Sequence, residues 1–136
     1  MRKIDKIIIH CSATKEGQDV SVENIRYWHV EENGWSDIGY HFIVDINGFL
    51  HEGRDIDIQG AHTYGANKGS VGVCYIGGLS EDMAWKDTRN KRQKDTLEII
   101  IKYIKNLYPE AKVYGHNDFS EKDCPCFDAK EEYKNL

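Results

Sequence analysis

The sequence predicts an α/β domain with a central mixed β-sheet flanked by helices. The isoleucine-rich run from Lys3 to His10 reads as a central strand covered on both faces. Asn47-Gly48, set between two apolar runs, is a hairpin signal that adds an antiparallel pair. An amphipathic stretch from about Thr88 to Tyr108 supplies a helix long enough to cover a sheet. The order strand, helix, hairpin, strand, helix, strand fits one layered unit, and residues 1–136 are read as a single domain.

Each element has a local cause. Ser21 can cap a helix in which Val22, Ile25 and Trp28 or His29 recur at helical spacing, and Gly34 ends it. Tyr40 to Ile46 and Phe49 to Glu52 are the hairpin strands, with Tyr40 and His41 facing opposite ways at the start. Ile56 to Ser70 is a glycine-punctuated loop holding His62 and Asn67, a pattern that suits a functional loop or a solvated one. Val71 to Ile76 is a strand of small residues stopped by Gly77-Gly78. Leu97, Ile100, Ile101, Ile104 and Leu107 mark the buried stripe of the long helix, while Arg89, Lys91, Arg92, Lys94 and Lys102 read as its solvated face. Pro109 stops that helix, Ala111 to Tyr114 form a short strand, and Asp128 to Tyr133 a terminal helix.

Bulk composition removes several classes. With 40% hydrophobic and 30% charged residues the chain is an ordinary globular protein, and 136 residues bury a core without help from disulfides. The net charge of −5, with no basic-aromatic stripe, argues against nucleic acid as a partner. No run approaches the roughly 20 apolar residues of a membrane span. Ile7-Ile8-Ile9 is too short for the core of a secretion signal, so synthesis and folding in the cytoplasm are expected. Cysteines at 11, 74, 124 and 126 then suggest metal binding or burial rather than a disulfide framework.

The chemistry concentrates between Gly115 and Cys126, where His116, Lys122 and Cys124 fall together between turn-forming residues. Imidazole nitrogen with thiolate sulfur is the donor set zinc prefers, and a catalytic zinc takes three protein ligands. The best distant third donor is His10 at the end of the first strand, although His10 taken alone reads more simply as a satisfied core histidine. Cys11 should face away from it, and Cys74 reads as a small buried side chain. Ligands in α/β sheets collect at strand ends, where His10, Tyr40 and the loop after Tyr114 all emerge.

His10-Cys11-Ser12-Ala13-Thr14, Gly39-Tyr40-His41-Phe42, Ser70-Val71-Gly72-Val73 with Gly77-Gly78, and His116 with Lys122-Asp123-Cys124-Pro125 together resemble the zinc-dependent N-acetylmuramoyl-L-alanine amidases. The likeness is greatest to the amidase-type lysozymes of tailed phages, whose fold is shared with peptidoglycan recognition proteins. It runs over nearly the whole chain. The resemblance implies that His10, His116 and Cys124 hold Zn2+, that Tyr40 and Lys122 are catalytic, and that His62 and Asn67 line the substrate groove. It departs at Cys126, where the family usually carries glycine or serine, which raises Cys126 as a competitor for the metal or an oxidation partner of Cys124.

The implied activity is hydrolysis of the amide between N-acetylmuramic acid and L-alanine in peptidoglycan, by a monomer acting on the wall after release from the producing cell. Two other readings follow from the same resemblance. One is a peptidoglycan-binding module without turnover. The other is a structural zinc domain that regulates a partner such as a polymerase, with Cys126 closing the metal site.

Overall fold

The computed structural model describes residues 2–136. Its main sheet has five strands in the order β4-β3-β5-β1-β7. These are β1 (Lys6–Cys11), β3 (Phe42–Val44), β4 (Leu50–Glu52), β5 (Ser70–Tyr75) and β7 (Lys112–Gly115). β1 lies parallel between β5 and β7, β3 pairs parallel with β5, and only β4 runs antiparallel, against β3. The sheet is therefore mixed, as expected. Two short strands, β2 (Thr14–Lys15) and β6 (Gly78–Leu79), pair separately in parallel.

β5 is the central strand and β1 lies one in from the β7 edge, an interior place that its composition explains. Ile7, Ile8 and Ile9 are fully buried, which requires cover on both faces. Ile7, Ile9 and Cys11 join the larger core cluster with Leu97, Ile101 and Ile104 of helix α2 (Lys91–Leu107). Strand alternation sends His10 to the other face, the side on which helix α1 (Val22–Tyr27) packs Val22 and Ile25 over Ile38, Ile43 and Ile76, with Tyr40 against them. Burial of Leu97, Ile100, Ile101 and Ile104 alone contributes roughly 6–12 kcal/mol of hydrophobic free energy before chain entropy is subtracted.

The capping signals operate as the sequence suggests. Ser21 and Asn24 form a capping box at α1, and a turn of π-helix, Trp28–Glu32, extends it before Gly34. In the hairpin, Gly48 takes φ +84°, a conformation that costs glycine little. The long helix differs from expectation at its start, since Asn90 caps it in a reciprocal box with Gln93 instead of Thr88.

Arg89 also differs: it precedes the helix and is buried rather than solvated, 7% exposed. Its guanidinium bonds Asp87 (Nη2–Oδ2 2.9 Å) and Glu132 (Nη1–Oε2 2.8 Å), reaches the Tyr133 hydroxyl at 3.0 Å, and lies 3.3 Å above the Phe127 ring. A charge run read from sequence does not reveal that an acid 43 residues away will close on one of its members. This cluster fastens the terminal helix α3 (Ala129–Glu132) and the strand-to-helix segment before it to the body of the fold.

Candidate active site

β1 is an interior strand, and the edge strand β7 beside it delivers Gly115 and then a 3-10 turn, His116–Asp118. The chain next passes through Lys122 and returns Cys124 to the tip of β1. There the Cys11 backbone N–H donates to Cys124 Sγ at 3.1 Å. Parallel pairing of β1 with β7 thus brings together residues from opposite ends of the sequence. Among the described residues, His10, His116 and Cys124 form the one group of potential ligands close enough to share an ion, their donor atoms all within 4.8 Å of one another. Cys126 is outside it; its thiol turns to the Gly78 carbonyl at 3.3 Å. Cys11 and Cys74 lie outside as well, and both are buried.

The group opens on a cleft of about 220 Å³ that Tyr40, His62 and Lys122 also line. The Tyr40 and His10 rings are 5.2 Å apart between centroids, and the His10 and His116 rings 4.6 Å. A larger groove, about 490 Å³, lies between β4 and α2, where apolar Leu50, Ile99 and Tyr103 and charged Glu52, Arg54 and Asp55 line it without forming a metal-donor group among the described residues.

The site's electrostatics favour neutral rings beside cationic and protonic groups. Burial, then the neighbouring His62 and His116, push the His10 imidazolium well below its ordinary range, so the ring keeps a lone pair for a cation. Burial, with the Lys122 ammonium next, also lowers His116. His62 is pushed down to about 3, mainly by burial. Burial, then the nearby cysteine thiols, raises the Tyr40 phenol well above its ordinary value, so it stays a proton donor.

His62 faces the cleft, but Asn67 is set back from it. The Asn67 Oδ1 accepts the backbone N–H groups of His62 at 2.9 Å and Thr63 at 2.8 Å, and so shapes the loop that presents His62. Other side chains enter the cleft that sequence reasoning did not single out. His29 lies there with its ring 4.6 Å from Trp35 and 5.5 Å from Tyr40, and its Nδ1 accepts the Gly39 N–H at 2.9 Å. Trp85 is another, and Thr63 contacts His10 directly. No spacing in the sequence marks them: His29 sits within a helical pattern, and Thr63 has only its neighbour His62 as a signal.

Comparison with known proteins gives the family and agrees with the fold. The family model described as Amidase_2, N-acetylmuramoyl-L-alanine amidase, matches residues 1–127. The endolysin of Klebsiella phage KP32 is 40% identical over 129 residues, covering 95% of this chain and 85% of that protein. The solved endolysin amidase LysCS from Clostridium intestinale URNW superposes with a TM-score of 0.78 at 25% identity, over 91% of this chain and 76% of that one. Bumblebee PGRP-SA superposes with a TM-score of 0.81 at 30% identity, over 100% of this chain and 83% of that one. With the family match spanning all three donors of the histidine–cysteine group, the chain belongs to the N-acetylmuramoyl-L-alanine amidase family.

Proposed function

We propose that this protein is a zinc-dependent endolysin-type amidase that hydrolyses the bond between the lactyl carbonyl of N-acetylmuramic acid and L-alanine of the peptidoglycan stem. The observation that carries the reading is the convergence of His10, His116 and Cys124 within 4.8 Å, in a chain of the amidase family. Two imidazoles and one thiolate are a donor set that suits zinc and leaves a coordination position for water or substrate. Zinc bound there supplies a Lewis acid and lowers the pKa of its water.

The remaining chemistry belongs to the chain. Cys124 sulfur is oriented by the Cys11 N–H, an amide fixed in the interior strand β1. Addition of water to the scissile carbonyl places negative charge on its oxygen, and the Lys122 ammonium is the cation available to stabilise it, an effect of about 3 kcal/mol for one well-placed donor. Tyr40, kept protonated by burial, is positioned to orient the substrate or pass a proton to the departing amine. His62 contributes to the groove wall, and Asn67 supports it through the loop.

The same reading takes residues 1–136 as one amidase domain acting as a monomer, made in the cytoplasm and reaching the wall after release. The endolysin names of its relatives support the wall as its place of action, and no helix among the described residues is long and apolar enough to cross a membrane. Regulation of a polymerase through a closed structural zinc site is less well supported, because the Cys126 thiol faces Gly78 rather than the donor group.

Digestion of purified peptidoglycan by the zinc-loaded protein tests the function. New amino groups without new reducing sugar ends are expected. Wall binding with no new amines would assign a recognition module instead.

A further inference from the structure

His10 is held by more than its place in β1. The residue is 1% exposed, and its Nε2 lies 3.1 Å from Thr63 Oγ1 and 2.9 Å from His62 Nδ1. Thr63 Oγ1 is itself 2.9 Å from His62 Nδ1. On the far side of the His62 ring, Nε2 is 3.4 Å from Ser70 Oγ, and the Ser70 hydroxyl donates to the Ala66 carbonyl at 2.6 Å.

The direction of this chain is set at its end. A carbonyl only accepts, so Ser70 commits its single proton to Ala66 and can only accept from His62 Nε2. The His62 proton therefore sits on Nε2, and Nδ1 carries one in-plane lone pair. The Thr63 hydroxyl has that lone pair as its acceptor and offers its own oxygen to His10. Any direct bond between the two rings runs the same way, from His10 Nε2–H to His62 Nδ1. Every link makes Nε2 the protonated nitrogen of His10, which leaves the Nδ1 lone pair free for a metal.

We propose that Thr63 is a positioning residue for the metal ligand His10, acting through a directed relay His10 → Thr63 → His62 → Ser70 → Ala66 that fixes the tautomer and orientation of the His10 ring before metal binds. The proposal rests on His10 being a ligand in the function inferred above.

The surroundings are built for this task. Thr63 is 2% exposed, so water cannot stand in for its hydroxyl, and its backbone is tied with that of His62 to Asn67 Oδ1. The His62 ring lies so close over β5 that a Cβ on Gly72 would fall 2.6 Å from it; only glycine admits the ring there. Hydrogen-bond partners of metal-bound histidines typically govern 10- to 100-fold in affinity.

The test uses Thr63→Val, which keeps the shape and removes the hydroxyl, and Thr63→Ser, which restores the hydroxyl on a smaller side chain. Nitrogen-15 NMR of the zinc-free, histidine-labelled protein reads the His10 tautomer, and chelator competition reads zinc affinity. The expected result is a protonated His10 Nε2 in the wild type, zinc binding weakened on the order of tenfold in Thr63→Val, and recovery in Thr63→Ser.

A His10 proton on Nδ1 would overturn the proposal. So would wild-type zinc affinity in folded Thr63→Val, or a loss in Thr63→Ser as large as in Thr63→Val. None of these readouts depends on turnover. An inactive protein whose zinc affinity follows Thr63 would sink the amidase function alone, while an active amidase indifferent to Thr63 would sink only the relay. Unchanged zinc binding in His10→Ala would remove the ligand assignment on which both stand.

Discussion

The Cys11 backbone N–H donates to Cys124 Sγ at 3.1 Å across 113 sequence positions. This bond joins the tip of β1 to the segment that returns from β7, and makes the thiol part of the same rigid frame that carries His10. The candidate donor group is thus organised by backbone held in a sheet, which limits the reorganisation that binding an ion would need.

Cysteines 124 and 126 should part sharply on substitution. Cys124→Ser is expected to lose stoichiometric zinc and all turnover. Cys126→Gly should keep both, with stability changed by no more than about 1 kcal/mol, because position 126 sits at φ +74°, where a side chain is strained and glycine is not. Zinc content by elemental analysis decides the matter; zinc loss in Cys126→Gly would support a closed four-ligand site.

Tyr40→Phe and Lys122→Ala should retain zinc and lose rate. The expected fall in kcat is on the order of 100-fold for each, the range for removal of one proton donor or one oxyanion-stabilising group. Single-turnover kinetics with zinc content measured on the same samples checks this. Zinc loss in Lys122→Ala would mean that the ammonium supports the metal rather than the reaction.

Acid should destabilise the metal-free protein through its buried neutral histidines. His41 is the clearest case outside the donor group: burial holds it down at about 4, with Nδ1 accepting the Gly72 N–H at 3.0 Å and Nε2 facing the Ile58 carbonyl at 2.8 Å. Its folded pKa lies below the ordinary value near 6.5, so the unfolded chain takes the proton first. Stability is then lost as pH falls below about 6.5, until the folded state also protonates near 4. For His41 alone the loss between pH 7 and 5 is roughly 2 kcal/mol. Urea unfolding at the two pH values should show at least this fall and a shallower one in His41→Gln; equal slopes would contradict the assignment.

Arg89→Ala should cost about 2–3 kcal/mol of stability. That is less than for a wholly buried pair, since the Asp87 and Glu132 side chains keep 31% and 43% exposure and can return to water. Loss of the Phe127 stacking and the Tyr133 bond adds to the ionic term. A change below 1 kcal/mol by urea unfolding would show that the terminal helix is not fastened there.

What could be read from the sequence was whatever depends on local pattern. Ile7-Ile8-Ile9 announces a buried strand, Asn47-Gly48 a hairpin, and the Leu97 to Ile104 stripe a packed helix, because burial and turn chemistry act over a few residues; Leu107, expected in that stripe, is instead 39% exposed at the helix end. His10, His116 and Cys124 were legible as donors by residue type, and their meeting was inferable once both flanking strands were placed in one sheet. The capping choice of Asn90 over Thr88 depends on Gln93 reaching back, which competing cap residues obscure. The burial of Arg89, the entry of His29 into the cleft and the Thr63 bond to His10 depend on contacts between distant segments. Composition and periodicity carry no record of those.

Mass spectrometry of the products from a defined muramoyl peptide, made with the zinc-loaded protein, after chelation and after zinc is restored, reads the cleaved bond and its metal dependence together. A zinc amidase yields an intact sugar and a stem peptide beginning with a free alanine amine, lost on chelation and regained with zinc. Cleavage within the sugar or at another peptide bond, or full turnover in the chelated protein, would contradict that function.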